Sequence, residues 1–140
     1  LRRQRQMCIR DSLITINRNG NGNFNIRIRD HVFATDMGVE EGGQDRGPSP
    51  VEILGAAAGA CLATMVQAYC DSRGYTDGDV SVSLTMEMVE NPNRVAGLVL
   101  DVELPKDVPE EDREKLKKMA LRMPVPATLR GEPRVDIEML

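Results

Sequence analysis

The residues able to do chemistry are few: three cysteines (Cys8, Cys61, Cys70) and a lone His31 stand in 140 residues. A thiolate is a strong nucleophile, and a neighbouring cation lowers its pKa. Cys61 sits in VEILGAAAGACLATMVQAYCDSR, residues 51–73, a run with the composition of a buried helix. Arg18 ends the first strand-like segment and could supply the cation, with Arg27 and Arg29 on a polar strand face as alternatives. Glu52 is the nearest carboxylate that could orient such a cation. Each has a plainer reading: Cys61 as a small core residue, Arg18 as a solvated hairpin arginine, Glu52 as a first-turn acid favoured by the helix dipole. At about 100° per residue Glu52 falls roughly opposite Cys61 on an ideal helix. Cys70 lies about 13 Å beyond Cys61 along the helix axis, and a disulfide needs Cα atoms within about 7 Å, so Cys70 reads as structural. With no CxxC and no Cys/His cluster, neither a zinc site nor a disulfide scaffold is expected. The sparse thiols fit a reducing, cytoplasmic compartment.

The elements that must position these groups follow from periodicity. Residues 13–18 read as a strand, NGNGN at 19–23 as a hairpin turn, 24–29 as a cleanly alternating strand and 31–35 as a third. Residues 36–50, rich in Gly, Pro and acids, read as a long loop of the kind that carries function. The helix over 51–73 starts at Pro50 and ends at Gly74. It is apolar on every side, which predicts burial on every side, against a sheet and a second subunit. Residues 79–88 and 95–104 form a hairpin across the turn NPNR, with one solvent face. Pro109 to Met123 reads as an amphipathic helix with Leu116, Met119, Ala120 and Met123 on one stripe, and with Glu111–Lys115 and Glu114–Lys118 as surface pairs. PVPATLRGEP reads as a loop and 134–139 as a last strand. The order β-β-β-α-β-β-α-β predicts an α+β fold, antiparallel sheets wrapped on a buried central helix, as a single domain over 13–140.

Bulk properties narrow the functions. The aromatic fraction is 3% with no Trp, which leaves few base-stacking surfaces. The formal charge is −4, but Arg2, Arg3, Arg5 and Arg10 crowd the first twelve residues against Asp11. The remainder holds 14 basic and 21 acidic residues, a charge near −7, unlike a nucleic-acid binder. The segment LRRQRQMCIRDS lacks the apolar core of a secretory signal. It reads as a disordered arm or as non-native sequence resembling translated adapter read-through, and residues 1–12 are given no structural role. No apolar run reaches about 18 residues without a polar interruption, so no membrane span is expected.

The element order, together with GGxDxGPSPVEILGAAAGACLAT, resembles the OsmC/Ohr family. The match runs through Gly42, Gly43, Asp45, Gly47, Pro48, Ser49, Pro50, Glu52, Ala60 and Cys61, and the resemblance covers about 13–140. It implies an intertwined homodimer with active sites at the subunit interface, reducing organic hydroperoxides through two cysteines without metal or organic cofactor. Cys61 matches the family's attacking cysteine, and Arg18 stands where its arginine motif falls. The family carries its carboxylate directly after the second proline, where this chain has Val51 with Glu52 following; another branch shares this PSPxE form. The second motif, CPVHxTL, appears as MPVPATL, with Met123 for the second cysteine and Pro126 for the histidine. The resemblance therefore implies a one-cysteine hydroperoxide reductase acting in oxidative-stress defence and resolved by an external thiol. The alternative is a non-catalytic member binding a small apolar or thiol-bearing ligand at the dimer interface.

Overall fold

A computed structural model describes residues 13–20 and 22–140; Cys8 and the arginine-rich start lie outside the described residues. The chain divides into two compact units, up to Ile53 and from Leu54 onward.

The N-terminal unit is an antiparallel meander, β1 (Ile14–Arg18), β2 (Phe24–Ile28) and β3 (His31–Thr35), in the order β1-β2-β3. Register pairs Ile14 with Ile28, Ile16 with Ile26 and Ile26 with Phe33. Because side chains alternate, one face collects these apolar residues and Thr15, Asn25 and Arg27 occupy the other. Arg29 leaves the strand: it sits in the β2–β3 turn at φ 54, so it is no strand-face alternative to Arg18. Residues 36–49 follow as the expected loop, interrupted by one 3-10 turn, Val39–Glu41, closed by Gly42 at φ 91.

In the C-terminal unit, α1 (Pro50–Arg73, whose first turn belongs to the N-terminal unit) lies against the hairpin β4 (Ser81–Val89) and β5 (Arg94–Glu103). Val82, Leu84 and Met86 pair with Val102, Leu100 and Leu98 on the inner face. A bulge after Glu87 breaks the alternation and turns Met88 outward. The small residues of α1 have a specific use. A Cβ on Gly55 would lie 2.8 Å from Leu84 Cδ2 and 3.0 Å from Met86 Sδ. Glycine there lets the helix backbone settle onto β4. The stripe Gly55, Ala58, Leu62, Val66 and Cys70 is buried, while Val51, Leu54 and Met65 on the other sides are exposed. The expected burial on every side is therefore absent in the single chain, because one hairpin and one helix cover only one face. By length and composition α1 is also long and apolar enough to cross a membrane, although no run of that length in it is free of polar interruption. A core helix passes the same measure.

α2 (Glu110–Ala120) closes the core: Leu62, Val66, Cys70, Val108, Leu116 and Met123 form one buried cluster. The surface pairs expected on α2 do not close. The ion pair formed among the described residues is Arg134–Asp136 at 2.9 Å. Two further expectations fail after Met123. Residues Pro124–Arg130 form a short helix, α3, with Met123 at its N-cap. Proline stops a preceding helix but is also well placed in the first turn of a new one, where no N–H partner is lost. Residues 132–140 form no strand. Val135, Ile137 and Met139 alternate as a strand should, at 76%, 74% and 91% exposure, but no strand edge among the described residues pairs with them.

Candidate functional site

Cys61 lies midway along α1, half-buried, with its side chain against the Leu62–Met123 cluster. Met123, the residue in the place of a second thiol, is 4% exposed within that same cluster. The structure thus brings the two motif positions to one core, but only one of them carries sulfur able to form a disulfide. Cys70 is 0% exposed. Burial, and then the carboxylates of Asp71, Asp107 and Asp112, push its thiol pKa up, so it stays a neutral thiol. Both thiols are free, as a separation of nine positions along one helix requires.

Glu52 is engaged locally. The Ser49 N–H donates to Glu52 Oε1 at 2.9 Å, and the Glu52 N–H donates to Ser49 Oγ at 3.3 Å. This reciprocal pair is a capping box, which satisfies two otherwise orphaned helix-end donors. The Ser49 backbone hydrogen bond, helped by its hydroxyl, holds the Glu52 carboxyl below its ordinary pKa. The signal was present in the sequence as Ser-x-x-Glu behind Pro50. Arg18 is exposed at the end of β1 and lines a cavity of about 620 Å³ in the N-terminal unit with Asn23, Thr35, Asp36 and Glu41. Arg18 and Glu52 belong to the N-terminal unit and Cys61 to the C-terminal one, so the three do not form a constellation within either unit.

Asp36 is a residue that sequence reasoning passed over. Its carboxylate accepts the backbone N–H groups of Met37 (2.8 Å), Gln44 (3.2 Å) and Arg46 (3.2 Å). Partial burial pushes its pKa up, but the three donors and the Arg46 charge outweigh that and hold it below the ordinary value. The loop is folded tightly around it. A Cβ on Gly43 would lie 2.1 Å from the Met37 carbonyl oxygen, and one on Gly47 2.3 Å from that of Ala34. The glycines of GGQDRG are thus required by close backbone approach, and Thr35 Oγ1 seals the loop by donating to the Pro48 carbonyl at 2.9 Å.

A second polar cluster was also missed. The buried Asp112 accepts a short hydrogen bond from the Tyr75 hydroxyl. That bond, against the opposing effect of burial, keeps the Asp112 pKa below its ordinary value, and it pushes Tyr75 up to about 12. Burial, with Asp112 adding to it, lifts the Tyr69 hydroxyl as well, and Arg73 lies 4.9 Å from the Tyr69 ring centroid. No group of three or more His, Cys, Asp or Glu among the described residues is arranged to hold a metal.

Residues 42–138 match the family model described as OsmC-like protein. No curated protein matches the chain in sequence. Solved structures do match in fold. An OsmC-like protein from Mycoplasma pneumoniae gives a TM-score of 0.71 at 17% identity, covering 86% of this chain and 88% of that one. The organic hydroperoxide resistance protein OhrB of Bacillus subtilis gives 0.60 at 17%, covering 86% and 91%. A candidate osmotic-stress and detoxification-response protein from Psychrobacter arcticus gives 0.73 at 16%, covering 82% and 85%.

Proposed function

Because this chain belongs to the OsmC-like protein family, we propose that it is a one-cysteine hydroperoxide reductase of oxidative-stress defence, with Cys61 as the attacking thiol. The observation that carries this reading is the contrast between its two described thiols: Cys61 is reachable and Cys70 is sealed. The Cys61 thiolate attacks the outer oxygen of an organic hydroperoxide. The S–O bond forms as the O–O bond breaks; the alcohol leaves with a proton and Cys61 becomes a sulfenic acid. Met123 cannot condense with it. An external thiol does so, releasing water and leaving a mixed disulfide, and a second external thiol reopens that disulfide. The reducing thiol pool of a cytoplasm supplies both.

A second copy of the chain is the proposed partner. It covers the exposed sides of α1 and the apolar face of the N-terminal sheet. In that homodimer Arg18 is the proposed cation beside Cys61, and Glu52 acts through its free carboxylate oxygen.

The test is one equivalent of cumene hydroperoxide with a sulfenic-acid trap, and Cys61→Ser as control. Rapid, saturable trapping at Cys61 is expected. Trapping no faster than with a free small-molecule thiol sinks the reading. Glu52→Gln keeps a capping acceptor and removes the charge, so it separates the roles of that residue. An unchanged rate with unchanged stability assigns Glu52 to the cap alone. The missing second thiol favours one further reading, a non-catalytic protein binding a small apolar or thiol-bearing ligand at the same interface.

A further inference from the structure

We propose that the C-terminal unit carries a binding site for a medium-chain carboxylate, between α1, the β4–β5 hairpin and α2. A cavity of about 430 Å³ opens there. Its size is in the range of small-ligand pockets, about 300–1,000 Å³, and towards the end that takes one aliphatic chain. Leu62, Val66, Val102 and Leu116 supply its walls, and the only charged or polar residues among those lining it are Arg113 and Lys117. Cys61 does not line it, so the site is separate from the thiol chemistry.

The two cations make the cavity selective. They stand four residues apart on α2, where like charges repel. Neither is ion-paired among the described residues. Of the two acids that flank Arg113, Asp112 is turned inward and bound by Tyr75, and Glu114 is exposed and makes no ion pair with it. Arg113 is half-buried and Nε donates to the Val108 carbonyl at 3.2 Å. That bond anchors the guanidinium while leaving its terminal amino groups for another acceptor. A planar guanidinium fork matches a carboxylate, and a neighbouring ammonium adds a point charge. An apolar chamber lined by a half-buried guanidinium and, one helical turn on, an exposed ammonium fits a single aliphatic tail with an anionic head. A neutral apolar ligand would leave the cations unanswered, and a dianionic polar one would leave the walls wet.

The experiment is calorimetric titration of the full chain with decanoate and with decanol, which share a tail and differ in the head. No peroxide is present, so the outcome does not depend on the reactivity of Cys61. Decanoate is expected to bind roughly tenfold tighter than decanol, about 1.4 kcal/mol. In the double variant Arg113→Gln, Lys117→Gln that gap closes while decanol affinity holds, which also reports that the cavity remains folded. Equal affinities in the parent chain overturn the proposal, as does a gap that survives the double substitution. Failure of both ligands to bind means that the cavity is filled by protein, from this chain or a second copy, and overturns it too. Binding only to anionic phospholipid vesicles, with none to free decanoate, assigns the cations to a membrane surface and rejects the carboxylate site.

Discussion

Cys61 and Cys70 share one helix and have different fates, because the face of α1 that carries Cys70 is the face the hairpin and α2 cover. Iodoacetamide is therefore expected to modify Cys61 in the folded protein and to reach Cys70 only after denaturation, read by mass spectrometry of the digested chain. Cys70→Ser is expected to cost about 1–3 kcal/mol, since it puts a hydroxyl without a partner into the core. Tyr75 and Asp112 make stability depend on pH at both ends. Asp112 is held below its ordinary value of 3.8, so its contribution is full above that value and is lost as pH falls further, through the folded-state pKa. Tyr75 is raised from 10.0 to about 12, so its contribution is full below 10.0 and is lost as pH rises through about 12. Tyr75→Phe should flatten both shoulders in urea midpoints measured across pH. Cys61 was legible in the sequence because a helix-borne motif surrounds it. The capping box around Glu52 was equally legible, as Ser49 and Glu52 stand at the required spacing. Asp36 was not, because its donors at Gln44 and Arg46 come from the far end of a loop whose path no local pattern dictates.

Among the elements, strands and the two longer helices follow hydrophobic period, and their bounds agree to within one to three residues with the structure. The departures come where one residue type has two meanings. Pro124 lies four residues beyond the end of α2 and is the first residue of α3, whose N-cap, Met123, packs into the core. The bulge after Glu87 is invisible to alternation because Met88 is apolar yet faces out. Gly55 marks where helix and sheet come closest, a contact that composition alone announces as a small-residue stretch without saying which glycine carries it. Gly55→Leu should destabilise the protein by about 1–3 kcal/mol through overpacking against Leu84 and Met86. Gly59→Ala should stabilise it by about 0.5–1 kcal/mol, since Val82 Cγ1 would stand at an ordinary 3.9 Å from the new Cβ and alanine is the better helix former. Urea denaturation of the two variants checks the contrast.

For the molecule as a whole, the α+β class and the family follow from element order and the GGxDxGPSP motif together. Assembly is the level at which the chain's own pattern exceeds what one copy satisfies. Ile16, Phe24 and Phe33 on the N-terminal sheet and Leu54 and Met65 on α1 are exposed, and these are the residues the proposed second copy would cover. Sedimentation is expected to give twice the mass of one chain, and Met65→Lys to shift the population to single chains; a monomer in the parent protein contradicts the proposed partner. The final segment sharpens the same question. Beyond Gly131 the chain is exposed and forms neither helix nor strand, so in a lone chain it offers a protease an ideal substrate. Trypsin cutting after Arg134 then becomes a clock for assembly: rapid loss of the tail reports free chains, and a tail that resists cleavage has found an edge to lie against.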